Sequence, residues 1–487
     1  MTTEAVDRQL AILTSPPPPI VLARPCTPGD GVSRLIDSDL EGLTGAWHEA
    51  ATGRRFSKFV PASGAASRMF RDLGWYAESG LEVAAVRERA AAGDRTAANV
   101  VRFFESLSEL PFAAVLDAPT DGDWPAATER LLARPRGLAS LPKGLLPFHR
   151  YGDRSRTAFE EHVREGLEIL STDGRSARLH LTVSPEHRGR FEEAAESTAR
   201  RLADECGVEL EIGFSIQDPA SSVIALDAEG RPFRDADGRL LLRPGGHGSL
   251  LANLGAYGGE LVYVKNIDNI LPDAGRPLAV QWKQLLGGYL VELRRRIGAC
   301  LEALDDDRGD RALADGERLL AQALGRRLAD AEPETRRLLL RRQLDRPLRI
   351  CGMVRNEGEP GGGPFWVRAA DGRESPQIVE SSQVDLDDPE QRRIWESSTH
   401  FNPVDLVCAL RDFAGRPYEL DRFVDPAAVF LTEKSHGGRP LKALEWPGLW
   451  NGAMAGWNTV FVEVPGATFA PVKTVFDLLR PAHRQEA

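Results

Sequence analysis

The chain has 487 residues, of which 42% are hydrophobic and 27% charged, so its composition excludes a chain that is disordered throughout. Its formal net charge of −11 excludes a general nucleic-acid-binding protein, because neutralising phosphates takes an excess of Lys and Arg. With five widely separated cysteines, no secretory signal and no apolar run near the roughly 20 residues of a membrane span, we expect a cytoplasmic protein without nucleic-acid or membrane partners.

Residues 1–55 open with a short amphipathic stretch that is followed by the proline run SPPPPI. Proline cannot donate a backbone hydrogen bond, so this run favours an extended segment, and we predict an N-terminal arm over residues 1–55. Residues 56–280 are predicted to form the core of the protein. Within the core, apolar residues recur at helical spacing over about 79–135, which predicts a helical insertion.

The core opens with KFVPASGAASRMF at residues 58–70, an apolar strand that ends in a turn of small residues and continues as a helix. Small side chains let backbone N–H groups approach an anion, and a helix N-terminus carries positive partial charge. Arg68 would add a fork of donors. The turn therefore predicts either a phosphate site or a plain strand-to-helix connection. Its candidate contacts are Ala62, Ser63, Gly64, Ala65, Ser67 and Arg68.

Lys143 lies in the proline-bounded loop LPKGLLPFHR at residues 141–150. Apolar residues flank it, so Lys143 is a candidate phosphate ligand, and the alternative is a surface lysine whose stem alone is buried. After this loop, strand and helix patterns alternate as far as Gln217, at the end of a strand. Such alternation predicts βαβ units and a mostly parallel sheet.

A second glycine-rich loop precedes a helix and then the apolar strand ELVYVKNID, which ends at Asp268. Ligands of open α/β sheets gather beyond the carboxyl ends of the strands, so this strand end and the turn after Val60 are expected to share one crevice. Asp268 is therefore a candidate residue of that crevice, and the alternative is that it only caps the following turn. The loop adds the candidate ligand contacts Gly246, His247 and Gly248, although a histidine that merely starts a helix is the alternative for His247.

Residues 281–345 are predicted to form a second helical insertion, whose arginine-rich faces are solvated or form an oligomer contact. Residues 346–487 are predicted to form a β-rich subdomain and a C-terminal segment that completes the site. In that segment, WNTVFVEVPGATFAPVKTVFDLL predicts a strand, a loop with Lys473 and a short helix. Most basic residues of the chain are arginine, so a lysine at this point is a candidate functional cation.

The order of these elements resembles that of the UDP-sugar pyrophosphorylases, nucleotidyltransferases of the GT-A-like fold, over about 57–270 and 441–480. The resemblance implies that Arg68, Lys143 and Lys473 hold phosphates. It also implies that Asp268 binds Mg²⁺, while the Gly-His-Gly loop lies by the base and ribose and Gln217 reads the uracil edge. Over its whole length the chain also resembles a bacterial family of domains of unknown function, DUF4301, on the motifs KFVPASGAA and LPKGLLPFH.

We therefore predict an α/β protein with a GT-A or Rossmann-like, mostly parallel sheet, helical insertions and a C-terminal β-containing extension. The resemblance implies Mg²⁺-dependent transfer of a nucleotide from a nucleoside triphosphate to a sugar phosphate. One alternative is a non-catalytic nucleotide-sugar-binding or sensor protein on the same fold. Another is a GT-A-type glycosyltransferase, which would usually carry an acidic residue where this chain has Asn266.

Overall fold

A computed structural model describes residues 2–66, 69–113, 123–133, 137–235, 237–305, 309–358, 361–436 and 438–484. The predicted contacts Ser67 and Arg68 lie outside the described residues. The helices are α1 Thr3–Thr14, α2 Asp37–Thr52, α3 Arg71–Ser79, α4 Val83–Ala91, α5 Arg95–Glu105, α6 Trp124–Leu132, α7 Ala158–Leu170, α8 Arg188–Cys206, α9 Leu251–Tyr257, α10 Arg276–Asp305, α11 Gly309–Leu324, α12 Pro333–Leu344 and α13 Pro389–Glu396. The strands are β1 Leu22–Pro25, β2 Thr27–Pro28, β3 Gly31–Ser33, β4 Phe56–Pro61, β5 Pro147–Tyr151, β6 Arg154–Thr157, β7 Ser176–Val183, β8 Glu209–Ile216, β9 Ala225–Leu226, β10 Leu261–Lys265, β11 Leu348–Arg355, β12 Gly363–Arg368, β13 Glu374–Val379, β14 His400–Phe401, β15 Asp405–Ala409, β16 Phe430–His436, β17 Arg439–Glu445 and β18 Asn458–Glu463.

One large sheet forms the centre of the fold, with the strand order β2-β3-β18-β11-β15-β10-β4-β7-β8, and β14 joins it by pairing with β11. Strand β15 is antiparallel to both neighbours, β10 and β11. Every other pairing along this order is parallel. Strands β4, β10 and β15 are buried along almost their whole length, as strands of a sheet covered on both faces are. The prediction of a mostly parallel α/β sheet is confirmed.

Residues 1–55 belong to the main fold and do not form an arm. Strand β3 pairs with β18 in the large sheet, and β1 pairs with β12 in a small one. Helix α2 packs against α10 so closely that a Cβ on Gly288 would lie 1.8 Å from the carbonyl oxygen of Leu43, so this contact requires glycine. The strands of this region are too short to show an alternating pattern, and only their partners elsewhere in the chain define them.

The predicted boundary at 280/281 also falls within continuous structure, whereas 345/346 falls in the connection between α12 and β11. Helix α10 crosses the first boundary and buries apolar residues on the core, among them Leu286 and Leu290. Strands β11, β15 and β18, which the sequence analysis assigned to a subdomain, are central strands of the large sheet. The smaller sheets are β1-β12-β13, β16-β17-β9 and β5-β6. The insertion at 79–135 contains helices α4, α5 and α6 within its described residues.

A cluster of ionised side chains is buried between the large sheet and helices α7 and α10. Glu165 accepts hydrogen bonds from Lys58 and from Lys265, both at 2.8 Å. Lys283 pairs with Asp405 and lies 3.9 Å from Glu165. Burial raises the pKa of Glu165, but the charges of the three lysines outweigh it and hold the pKa well below its usual value. The cluster connects β4, β10 and β15 to the two helices.

We predict that Glu165→Gln lowers the free energy of unfolding by about 3–5 kcal/mol, because it leaves buried ammonium groups without their charge partner. Urea denaturation followed by tryptophan fluorescence measures this loss. Glu205→Gln is the matched control, since the Glu205 carboxylate faces Arg164 and Arg154 at the surface, at 3.5 and 3.8 Å. The control is expected to lose less than about 1 kcal/mol. Equally small losses in both variants would contradict the prediction.

Candidate functional site

The carboxyl ends of β4, β7, β8 and β10 lie at one edge of the large sheet, because these strands are parallel neighbours. The chain after β4 stays at this edge, since the N–H of Ala62 donates to the carbonyl oxygen of Thr182 at 2.8 Å. The chain after β10 leads directly to Asp268. The predicted turn and the predicted metal ligand are therefore on the same edge, as the strand order requires.

The loop that carries Lys143 is joined to the turn after β4 by main-chain hydrogen bonds. The N–H of Lys143 donates to the carbonyl oxygen of Gly64 at 3.0 Å, and the N–H of Ala66 donates to that of Leu141 at 3.2 Å. These bonds fix the start of the Lys143 side chain beside the turn. Of the predicted turn contacts, Ser63, Gly64 and Ala65 are exposed and Ala62 is buried.

Asp268 lies between the ammonium groups of Lys143 and Lys473. Lys143 Nζ donates to Asp268 Oδ2 at 2.9 Å, and Lys473 Nζ donates to the same oxygen at 3.1 Å. Burial raises the pKa of Asp268, but the charges of Lys473 and Lys143 outweigh it, so the pKa lies below its usual value. The side chain of Lys473 is 55% exposed, whereas that of Lys143 is 12% exposed. The two ammonium groups and one carboxylate leave one positive charge at the sheet edge.

Main-chain pairing brings Lys473 to this position from far along the sequence. The N–H of Val472 donates to the carbonyl oxygen of Asp268 at 2.8 Å, and Lys143 Nζ donates to the carbonyl oxygen of Val472, also at 2.8 Å. The buried Asn269 side chain accepts a hydrogen bond from the N–H of Ala470 at 3.1 Å. The segment that precedes Lys473 is thus held beside the end of β10 by the main chain of Asp268 and the side chain of Asn269.

Asp477 holds the chain just after Lys473, and the sequence analysis did not single it out. Its Oδ2 accepts hydrogen bonds from the N–H groups of Lys473, at 2.9 Å, and Thr474, at 2.6 Å. Thr474 and Asp477 form a capping box at the start of a short 3₁₀ helix. The T-x-x-D spacing is a recognisable capping signal, so it could have predicted this positioning role.

His483 fastens the end of the same segment to the core. Its Nδ1 lies 2.9 Å from His149 Nε2, and His149 Nδ1 lies 3.0 Å from a carboxylate oxygen of Glu161. These two contacts join His483 through His149 to Glu161. Burial, together with the neighbouring His149, lowers the pKa of His483 to about 3. His483 is therefore a neutral member of this hydrogen-bonded link.

The Gly-His-Gly loop packs at a different place. His247 stacks on Trp450 with ring centroids 4.1 Å apart, and its Nδ1 accepts a hydrogen bond from the N–H of Leu449 at 3.0 Å. Gly246 has a φ of 76°, and a Cβ on Gly248 would lie 2.0 Å from the carbonyl oxygen of Pro447, so both positions require glycine. Within the described part of the chain, no hydrogen bond or ion pair joins this loop to the two lysines.

Gln217 follows the carboxyl end of β8, and among the described residues no hydrogen bond joins it to the lysines. Its Nε2 donates to Ser221 Oγ at 3.1 Å. The predicted nucleotide contacts His247 and Gln217 therefore stay predictions, whereas Lys143, Asp268 and Lys473 are directly joined.

Two negative findings concern the described residues alone. No three side chains of His, Cys, Asp or Glu come together there in a way that could hold a metal ion. No helix in those ranges is both long and apolar enough to cross a membrane. Asp268 alone fits Mg²⁺ where phosphate oxygens and water complete the coordination, because Mg²⁺ is commonly held by one or two carboxylates together with substrate phosphates.

We predict that the neutral histidine link makes stability depend on pH. The pKa of His483 is about 3 in the folded chain and 6.5 as its ordinary value. The unfolded chain therefore binds a proton that the folded chain does not, so this contribution is complete above pH 6.5 and is lost as the pH falls towards 3. Between these values it changes the unfolding free energy by about 1.4 kcal/mol per pH unit.

The measurement is urea denaturation of the wild type and of His483→Asn at several pH values between these limits. The variant is expected to lose less stability on acidification, since asparagine has no proton to bind. His48→Asn, at an exposed histidine, is the control and should keep the wild-type slope. A wild-type slope in His483→Asn would contradict the prediction.

Comparisons with known proteins give one family and a group of distant structures. The family model described as "Domain of unknown function (DUF4301)" matches residues 1–484. A search of curated proteins gives no match. Similar solved structures include the uridine diphosphate N-acetylglucosamine pyrophosphorylase from Trypanosoma brucei in complex with inhibitor, at 14% identity, over 98% of this chain and 74% of that chain, with a TM-score of 0.49. The UDP-glucose pyrophosphorylase from Leishmania major matches at 14% identity, over 99% and 75%, with a TM-score of 0.44. Values of this size carry no inference about activity.

Proposed function

The chain belongs to the family described as a domain of unknown function, DUF4301, and we propose that it is a nucleotidyltransferase acting on a sugar phosphate. The observation that carries this proposal is the cluster of Lys143, Asp268 and Lys473 at the carboxyl edge of parallel strands. A mostly exposed lysine and a mostly buried one converge there on a single carboxylate, beside a turn of small, exposed residues. Such an edge is where open α/β sheets bind ligands.

The proposed reaction joins two anions. An oxygen of a sugar 1-phosphate attacks the α-phosphorus of a nucleoside triphosphate, a new P–O bond forms, and the bond from the α-phosphorus to the bridging oxygen of the β-phosphate breaks. Pyrophosphate leaves with the electron pair, and the other product is the nucleoside diphosphate sugar. No covalent bond to the protein is needed, so the protein contributes alignment and neutralisation of charge.

Lys143 and Lys473 suit different parts of this task. Lys143 is held by the Val472 carbonyl oxygen as well as by Asp268, so its ammonium group is fixed in place. Lys473 bonds only to Asp268 through its ammonium group, among the described residues, and is more than half exposed. A compact ammonium on a flexible stem can follow a phosphate whose position changes during transfer. We therefore assign Lys143 to the bound triphosphate and Lys473 to the phosphates that move.

Asp268 keeps the two ammonium groups together in the free protein, where they would otherwise repel each other. Phosphate oxygens can replace the carboxylate at the lysines, and the carboxylate is then available to a cation. In the proposed function Asp268 would hold Mg²⁺, which would reduce the negative charge of the phosphates. The exposed turn at residues 63–65 would add backbone N–H donors for the triphosphate.

We predict that Lys143→Ala and Lys473→Ala each lower turnover by about 100-fold or more, because each removes a positive charge that stabilises the transition state. The assay measures pyrophosphate release from a panel of nucleoside triphosphates and sugar 1-phosphates. Lys442→Ala, which removes an exposed lysine on β17, is the matched control and should keep the wild-type rate. Wild-type rates in both site variants would contradict the assignment of Lys143 and Lys473 to the phosphates.

A nucleotide-sugar-binding protein without turnover is the second candidate. This candidate is favoured by the ion pairs that Asp268 forms with Lys143 and Lys473, because they leave its carboxylate already neutralised rather than open to a metal ion. Among the described residues, Asp268 is the sole acidic side chain bonded to either ammonium group. The same panel separates the two candidates. Saturable binding with no pyrophosphate release for any pair of substrates identifies the binding protein.

We predict that Asp268→Asn removes the effect of Mg²⁺ on ligand binding. In the wild type, Mg²⁺ should increase the thermal stabilisation that a nucleoside triphosphate provides, because a ligand of the native state raises apparent stability. In Asp268→Asn the triphosphate should still stabilise the protein, since both lysines remain, but Mg²⁺ should add little. Thermal denaturation with and without Mg²⁺ measures both effects. An undiminished response to Mg²⁺ would exclude Asp268 as the ligand.

A further inference from the structure

Three arginines lie against residues 450–457, at the edge of the large sheet opposite to Asp268. Arg349, Arg346 and Arg326 each donate to a main-chain carbonyl oxygen of this segment, at 2.5, 3.2 and 3.1 Å respectively. The segment leads into β18 and the arginines surround the start of β11, so they meet at the amino ends of these two parallel strands. We call these three residues the arginine cluster.

The arginine cluster has no acidic partner among the described residues. Beyond main-chain carbonyl oxygens, its partners are neutral side chains, as in the hydrogen bond from Arg349 Nε to Thr459 Oγ1 at 2.8 Å. Arg349 is fully buried, and its Nη2 has no hydrogen-bond partner. Burial and, to a smaller extent, the charges of Arg346 and Arg349 lower the pKa of Arg326 to about 10.

Neighbouring hydrogen bonds and the end of a helix stabilise only part of this excess positive charge. Arg346 Nε donates to the carbonyl oxygen of Arg342 at 2.8 Å, at the end of α12, where a helix favours a cation. However, the cost of burying one unpaired ion is several times the gain from a helix C-terminus. Three arginines that approach one segment without a carboxylate therefore leave a positive potential that an anion would relieve.

A cleft of about 830 Å³ opens on this segment. Arg342 and Arg346 line it, and Asp425 is the sole acidic residue in its lining. Neither arginine forms an ion pair within the described ranges of the chain. Apolar side chains form another part of the wall. They are Ile20, Val21, Ile378 and Phe423.

We propose that this cleft binds a phosphate-bearing metabolite. Arg342 and Arg346 hold the phosphate group, and the buried Arg349 and the partly buried Arg326, which bond to the same segment, add positive charge. Inorganic polyphosphate and organic phosphates share the chemistry that the arginines recognise, and the apolar wall selects an organic phosphate. The proposal does not depend on the nucleotidyltransferase assignment, because the cleft lies at the other edge of the sheet.

The test uses a Lys143→Ala, Lys473→Ala double variant of the full chain, so that the candidate active site does not contribute phosphate binding. Calorimetric titrations with inorganic pyrophosphate, glucose 6-phosphate and adenosine monophosphate distinguish the sources of the phosphate. At least one probe should bind with one molecule per chain. Adding Arg346→Gln should weaken that binding by about tenfold or more, since a charge-assisted hydrogen bond is lost.

Arg342→Gln gives a second measurement at an exposed residue and should also weaken binding, which keeps the test decisive if Arg346→Gln does not fold. Arg341→Gln is the matched control on the same helix, because Arg341 pairs with Asp305 and does not line the cleft. Binding of pyrophosphate alone supports an inorganic occupant. The proposal is overturned if no probe binds the double variant, or if both cleft variants bind as tightly as the control.

Discussion

The buried ion cluster around Glu165 is the constraint on which the geometry of this protein depends. Three lysines and two carboxylates are removed from water there, and the cost of that burial is recovered only when every partner is in place. Its members come from β4, α7, β10, α10 and β15. Strand β10, which leads to Asp268, is therefore joined through the cluster to its neighbours β4 and β15 and to helices α7 and α10. A site that depends on the distance between two ammonium groups needs such rigid support.

The lysines show how far the sequence could predict the site. The chain has seven lysines among its 61 basic residues, and five of them are Lys58, Lys143, Lys265, Lys283 and Lys473. Rarity singled out Lys473, and the motif context singled out Lys143 and Asp268. Nothing local distinguished the site lysines from the buried ones, because the difference lies in partners such as Glu165 and Asp405 far along the chain. A short sequence pattern carries no information about which distant residues form ion pairs in the folded chain.

For the fold as well, local elements were predictable and the contacts between distant parts of the chain were not. Alternating patterns predicted β7, α8 and β8 well, because each is long and has its own periodicity. The division of the chain was not predictable in this way. Strands β2 and β3 have two and three residues, and the boundary placed at residue 280 cuts α10 just after its start at Arg276. Likewise, Trp450 explains the position of His247, and the sequence places them about 200 residues apart.

The contact between Asp268 and Lys473 joins residues 205 positions apart. A chain is made from its N-terminus, so β4, β7, β8 and β10 exist long before the second ammonium group does. During synthesis the sheet edge can carry Lys143 and Asp268 as a balanced ion pair, and it gains its net positive charge only when Lys473 arrives. A fragment that stops before that point has only one of the two ammonium groups, so its sheet edge carries no net positive charge. The order of synthesis thus delays this net positive charge until the scaffold around it is complete.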